Sequence, residues 1–382
     1  MEDILVVGWG AVGILYGYTL HRSGRVRLTV VARSNYEAAK SGQITITSHQ
    51  FGSVTDFISE RGWRSDVICL VIQLTLRYQV VRSVAEAADR SYSFVLITTK
   101  ALPDVLPTSK LLEPLLSPSY TYPQPAYALL QNGLGIEKDL YAGLTKRAPL
   151  APPQIITCAV YCDANLIEND MRHPTGLPKL EIGLFDPRGS ARREAHSEGA
   201  SVTSFKNLVE AGGGAVTIAE DIQAAKFRKN IWNVVFATFS CLTRVPPAFY
   251  IATPAPWGRV APLFRETGEE VLAVGRAIGY SEKHLPTDAI QGFIDGDVAS
   301  YSDAQSEHKP STLLDIEANK PFEVEVIVGE VVRAGRQLGV PIPRLETDPL
   351  YTEQLLVLMY FPHRMEAIYT MLSVVQAHNL KG

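Results

Sequence analysis

The chain has 382 residues, long for a single domain, so two domains of ordinary size are expected. Hydrophobic residues make up 46% and charged residues 20%, ordinary values for a soluble globular protein, and the formal net charge of −4 gives no electrostatic basis for a nucleic-acid surface. The four cysteines, Cys69, Cys158, Cys162 and Cys241, do not form a disulfide framework. Cys158 and Cys162 lack the second Cys or His pair that a zinc site needs, so buried thiols and no metal are expected.

Residues 4–7, 28–31 and 94–98 are short β-rich apolar runs of the kind buried in parallel sheets, with a helical stretch over 14–21 after the first. Residues 126–130 and 154–160 continue the pattern, and 179–185 suggests a later strand. This alternation predicts an α/β fold with a parallel sheet. Gly212-Gly213-Gly214 punctuates the chain before Val216-Thr217-Ile218. From about Glu220 long helical stretches take over, at 221–242, 260–279, 311–318 and 322–338. The expected division is an α/β domain over 1–219 and an all-helical C-terminal domain over 220–382, with the active site in the cleft between them. Two stretches, 57–79 and 348–367, carry apolar blocks, Asp66 to Leu76 with no turn signal inside and Leu355 to Phe361 ended by Pro362, and both read as buried structure. The apolar run from Asp66 to Leu76 is far shorter than the roughly 20 residues that cross a bilayer. The run at 4–7 is too short for the apolar region of a signal peptide, so a cytoplasmic protein with no membrane partner is expected.

The first strand runs into Gly8-Trp9-Gly10-Ala11-Val12-Gly13, a G-x-G-x-x-G that enters a helix. Gly8 permits the tight turn, Gly10 lets the backbone approach a pyrophosphate, and Gly13 allows close helix–strand packing. The pyrophosphate would lie on the amides of the helix N-terminus, where the dipole favours negative charge. A Rossmann-type dinucleotide-binding domain is the expectation, against a merely structural glycine turn. An NAD site usually places Asp or Glu at the end of the second strand. Here the chain reads Ala32-Arg33-Ser34-Asn35, and Arg33 is a fixed cation suited to a 2′-phosphate, with Ser34 and Asn35 able to add hydrogen bonds. NADP(H) is therefore favoured; the alternative is a solvated surface arginine.

Further along stand Thr98-Thr99-Lys100-Ala101, Leu130-Gln131-Asn132-Gly133-Leu134-Gly135, Lys229 four residues before Asn233, and Ser311 followed by Glu323. Lys100 ends a strand where a cation suits a cofactor phosphate, though it could simply reach solvent. Asn132 sits in a loop after a strand, where its amide can both donate and accept, or serve only a turn. Lys229 and Asn233 share one helix face, and a lysine there can protonate the oxygen that gains charge as a ketone is reduced. Lys226 and Arg228 compete with Lys229 on spacing alone.

Together with the glycine loop, these motifs resemble the ketopantoate reductase (2-dehydropantoate 2-reductase) family over roughly 1–56, 80–347 and 368–382. The resemblance implies that Lys100 holds the NADP phosphate, that Asn132 touches cofactor and substrate, and that Lys229 is the general acid. It further implies that Asn233 and Ser311 hold substrate and that Glu323 orients Lys229, substrate or cofactor. Ala164 falls near a backbone contact to the cofactor. Pro321 would open a helix with Glu323 in its first turn, where a carboxylate also complements the dipole; Ser311 could equally be a helix N-cap. The position four residues beyond Asn233 departs from the family, which carries a second asparagine where this chain has Ala237. The two apolar blocks interrupt the resemblance and read as added segments, either genuine insertions or retained intron sequence. The expected function is NADPH-dependent reduction of 2-dehydropantoate to pantoate in pantothenate biosynthesis. Alternatives are reduction of another 2-oxo acid or carbonyl compound, or a non-catalytic NADP-binding role. The expected partner is a small-molecule 2-oxo acid, and a homodimer lies within the family's range.

Overall fold

The computed structural model describes residues 1–54, 78–174, 176–188, 199–302 and 309–345. The apolar block 348–367 lies outside these residues, as does 57–77 of the first block. Tyr78 and Gln79, at the end of the first block, open a strand of the main sheet that pairs in parallel with Leu28 to Val31, and the buried Tyr78 donates a hydrogen bond from its hydroxyl to the Ala39 carbonyl at 3.0 Å.

The chain divides into two compact units. The first comprises Met1–Thr99, Leu106–Gln131 and Ile136–Ile222, and the second Lys100–Val105, Asn132–Gly135 and Gln223–Gly382. Two short segments from the α/β stretch, carrying Lys100 and Asn132, thus group with the helical unit.

The described strands are β1 Glu2–Val7, β2 Val26–Val31, β3 Thr45–Ser48, β4 Gly52–Val54, β5 Tyr78–Val81 and β6 Phe94–Ile97, then β7 Ala126–Leu129, β8 Ile155–Tyr161, β9 Asn165–Ile167, β10 Asp170–His173, β11 Lys179–Leu184 and β12 Ala215–Ile218. Eight form one sheet in the order β12-β11-β8-β7-β6-β1-β2-β5. The six from β8 to β5 are mutually parallel, and β11 with β12 runs the opposite way because β11 pairs antiparallel with β8. Chain connection reverses direction between β1 and β6, the switch point beside which an open α/β sheet binds ligands at its carboxyl edge. Both the glycine loop after β1 and Thr98-Thr99 after β6 stand at that edge. Ile4 to Val7 and Phe94 to Ile97 are almost wholly buried, as strands covered on both faces must be.

Helix Ala11–Arg22 buries Ile14, Leu15, Tyr16 and Leu20, and helix Ala200–Ala211 buries Val202, Phe205, Leu208 and Val209. The glycine run now has a reason: a Cβ on Gly212 would lie 1.7 Å from the Thr19 carbonyl oxygen, so only glycine permits this helix-to-helix approach. A second, four-stranded sheet in the order β4-β3-β10-β9 joins residues more than a hundred positions apart, through the β10–β3 pairing of Asp170 with Thr45 and its successors.

Among the described residues the second unit contains only helices. Helix Ile222–Trp232 passes through a π-helical turn, Asn233–Ala237, into Thr238–Thr243. Helix Pro254–Ile278 begins six residues before the expected start and tolerates Pro262 in its interior; Pro254 opens it at the first position, where no amide is needed. Helices Ala289–Tyr301 and Ser311–Glu317 follow, then a second π-helical turn, Glu325–Gly329, leading into Glu330–Leu338. Phe236, Phe239, Tyr250 and Phe264 form a core of edge-to-face rings with centroids 4.5–5.7 Å apart. No helix among the described residues is long and apolar enough to cross a membrane.

Candidate active site

The glycine loop is shaped by what it excludes. Gly8 has φ of +105°, and a Cβ there would sit 2.8 Å from the Thr99 amide nitrogen. A Cβ on Gly13 would lie 2.0 Å from the Gly8 carbonyl oxygen, whereas one on Gly10 would meet nothing within 4 Å. Two glycines therefore close the turn and the third leaves its outer side open. The Thr98 hydroxyl donates to the Gly8 carbonyl at 2.5 Å and pins the turn to β6. Gly10 caps helix Ala11–Arg22 without a side chain, and no acid stands in the first turn. The first amides of a helix have no partner within it, so this end offers N–H groups to an anion.

The Trp9 indole does not face that side. It is 2% exposed, fills the space over Gly17, and packs against Tyr78 with centroids 5.2 Å apart, so Trp9 presents only its main chain at the loop. Asn35 is likewise committed, donating its amide to the Trp9 carbonyl at 2.6 Å and tying the end of β2 to the loop. Arg33 is exposed and free of any ion pair among the described residues. Arg82, not singled out in the sequence, lies at the end of β5 with its guanidinium 3.8 Å from the Tyr36 ring centre and paired with Glu37. Ala164 lies just before β9, part-buried against the core of the first unit.

The second unit brings together Lys100, Asn132, Lys229 and Glu323. Lys229 Nζ donates to Asn132 Oδ1 at 2.6 Å, and Asn132 Nδ2 faces Glu323 Oε2 at 3.5 Å. Glu323, 2% exposed, also accepts from the Ala101 amide at 3.1 Å and lies 3.7 Å from Lys100 Nζ. Lys100 reaches Asp315 at 2.7 Å. Burial disfavours the charge on Lys100, but the facing Glu323 and Asp315 carboxylates outweigh it and raise its pKa above the usual lysine value. Burial raises the Asp315 carboxyl despite the opposing pull of Lys100.

Local sequence explains how these groups are held. Gly133 has φ of +90°, and a Cβ there would fall 2.3 Å from Val326, so the Asn132 loop packs directly on the π turn. The Leu134 amide donates to the Val326 carbonyl at 2.7 Å, and Asn230 Nδ2 donates to the Ile327 carbonyl at 2.8 Å. Among the competing cations, Arg228 turns to the His284 carbonyl and Lys226 is buried at 3% exposure, while half-buried Lys229 is the one that meets Asn132.

Two expectations need correction. Residues 321–323 are not helical and Val324 is the first helical residue, so Glu323 precedes the helix and directs its carboxylate to Ala101, Asn132 and Lys100 rather than complementing a first turn. Ser311 is not a cap: Pro310 holds that position and Ser311 is exposed, whereas Asp315, one turn on, joins the charged network. Asn233, expected from the resemblance to hold substrate, stands outside that network. It lines a neighbouring cavity with its Nδ2 unpaired, in the company of Thr238, which spacing alone had passed over.

A Rossmann-type domain with a glycine loop, followed by a helical unit with a lysine–amide–carboxylate network, places the chain among the oxidoreductases of this architecture. It belongs to the ketopantoate reductase family: residues 4–187 match the model "Ketopantoate reductase PanE/ApbA" and residues 221–347 its C-terminal counterpart. An uncharacterized protein of Saccharomyces cerevisiae is 24% identical over 359 residues, 90% of this chain and 91% of its own. The crystal structure of 2-dehydropantoate 2-reductase from Methylococcus capsulatus is similar with a TM-score of 0.67 and 25% identity, covering 100% of this chain and 98% of that one. A D-mandelate dehydrogenase solved with NADH and anilino(oxo)acetate shares the fold, with a TM-score of 0.65 and 16% identity over 99% of each chain.

Proposed function

We propose that this protein is an NADPH-dependent reductase of 2-oxo acids, with 2-dehydropantoate, giving pantoate, as its first candidate substrate. The observation that carries the reading is the 2.6 Å hydrogen bond from Lys229 to Asn132, in a network that runs through Glu323 to Lys100. The residues fit a dinucleotide. The open side of Gly10 and the amides of Ala11, Val12 and Gly13 suit a pyrophosphate, and unpaired Arg33 suits a 2′-phosphate. When bound, NADPH supplies a hydride.

The protein's own task is to place the ketone and supply a proton. An ammonium has three N–H donors, so Lys229 can hold Asn132 with one while another turns to the substrate oxygen. As that oxygen gains charge, the ammonium stabilises it and then transfers a proton, leaving a 2-hydroxy acid and a neutral amine. Asn132 Oδ1 only accepts, so it fixes the direction of Lys229 without competing for the proton. Glu323 fixes Asn132 from the other side. Asn233 holds substrate through its free Nδ2.

Ala237 favours a second reading, a related 2-oxo acid as physiological substrate. Consumption of NADPH measured with 2-dehydropantoate beside other 2-oxo acids, benzoylformate included, tests both. Faster turnover of 2-dehydropantoate supports the first, and faster turnover of a relative supports the second. Binding of NADPH with no turnover of any 2-oxo acid refutes both and leaves a dinucleotide-binding protein without catalysis.

A further inference from the structure

Both ends of the bond from Lys229 to Asn132 are fastened to one short element, the π-helical turn Glu325–Gly329. The loop end is held twice. The Leu134 amide donates to the Val326 carbonyl at 2.7 Å, and Gly133 lies so close to Val326 that a Cβ does not fit between them. The helix end is held by the residue next to Lys229. Asn230 is 2% exposed, and its Nδ2 donates at 2.8 Å to the carbonyl of Ile327, the neighbour of Val326.

A π turn suits this double docking. In a regular α-helix an interior carbonyl accepts from the amide four residues on. Here the ladder slips by one residue, and the Glu330 amide donates to the Glu325 carbonyl, five positions back. Just past the slip, the carbonyls of Val326 and Ile327 each accept a donor from outside the helix. The Ile327 amide in turn donates to the Glu323 carbonyl at 3.0 Å, so the carboxylate end of the network is fixed to the same two residues. The Leu134 and Ile327 ties are made by main chain; the Asn230 tie is made by a side chain and depends on residue type. Asn230 Oδ1 has no hydrogen-bond partner among the described residues, and an unmatched buried oxygen costs stability. The amide is thus a poor choice for packing alone.

Resting on the reductase reading above, in which Lys229 is the acid, we propose that Asn230 is a positioning residue for proton delivery. Consecutive residues of a helix stand about 100° apart around its axis, so a bond at Asn230 sets the rotation of helix Ile222–Trp232 and with it the direction of Lys229. Its bond to Ile327 holds Lys229 against the Asn132 loop, which the same π turn carries. Without that bond the helix is free to shift, and proton transfer falls steeply with misplacement of the donor.

The test is a double-substitution cycle on the full chain with NADPH and the best 2-oxo acid. Asn230→Leu fills the space but cannot donate; it should lower kcat about 10- to 100-fold and leave the dissociation constant for NADPH within about twofold. In a Lys229→Ala background the same substitution should change the residual rate by less than about twofold, because no ammonium remains to misplace. Asn230→Asp keeps the shape, and its carboxyl donates to the Ile327 carbonyl only when protonated. Its kcat relative to wild type should climb as pH falls from about 8 to about 5, while the ratio for Asn230→Leu stays level. Equal losses with and without Lys229, no loss in Asn230→Leu, or an Asn230→Asp ratio that ignores pH would overturn the assignment and leave the reductase reading intact. If Asn230→Leu does not fold, the pH profile of Asn230→Asp decides alone. If wild type reduces no 2-oxo acid, or Lys229→Ala turns over at the wild-type rate, the reading beneath fails and takes this inference with it.

Discussion

Asp297 offers a test of the helical unit's interior that needs no substrate. The residue is 8% exposed, and both carboxylate oxygens lie 2.9 Å from the Trp232 indole nitrogen, a single neutral donor. Burial pushes its pKa from 3.8 up to about 7, the indole hydrogen bond offsetting only part of the effect. A carboxyl whose pKa is raised by folding destabilises the fold once ionised. Between the unfolded value near 4 and the folded value near 7 the unfolded chain binds fewer protons, so stability falls as pH rises through this window and levels off above it. The gap corresponds to about 4 kcal/mol at its largest. Asp297→Asn keeps an oxygen for the Trp232 N–H and removes the charge. Urea unfolding should therefore find the variant about 2–4 kcal/mol more stable than wild type near pH 8, with the advantage shrinking toward zero near pH 4. A variant less stable than wild type near pH 8, or a difference that ignores pH, would refute the reasoning.

Two further substitutions probe the glycine-loop domain. Gly13→Ala places a methyl group on the Gly8 carbonyl, 2.0 Å away before relaxation; the loop must open, costing about 1–3 kcal/mol in denaturant unfolding and weakening NADPH binding tenfold or more. Arg33→Ala should weaken NADPH by about 10- to 100-fold in a fluorescence titration, the worth of one charge-assisted contact, and barely change NADH. Equal losses for the two cofactors would remove Arg33 from 2′-phosphate recognition.

What could be read from the sequence is what depends on local pattern. The apolar runs of β1 and β6 and the glycine spacing each reflect a backbone requirement that neighbouring residues meet by themselves. The second sheet could not be read this way, since β3 and β10 are short and find each other only through the tertiary fold. The same applies to the π turns. Nothing in Asn233-Val234-Val235-Phe236-Ala237 distinguishes a π turn from an α turn, so counting by fours stopped at Ala237 and missed Thr238. Glu323 was found through family resemblance but given the wrong local setting, because Pro321 looked like a helix start and the helix begins at Val324. Arg82 and Asp315 carry no motif; a ring and a lysine brought close in space make them visible. Lys229 was separable from Lys226 and Arg228 only once the burial of Lys226 and the hydrogen-bond partners of the other two were known.

The central claim, that Lys229 supplies the proton in a hydride-transfer reaction, is tested most directly by Lys229→Ala with NADPH and the best 2-oxo acid. The account predicts turnover reduced by about 100- to 10,000-fold with the dissociation constant for NADPH nearly unchanged. Wild-type turnover in the variant would contradict it.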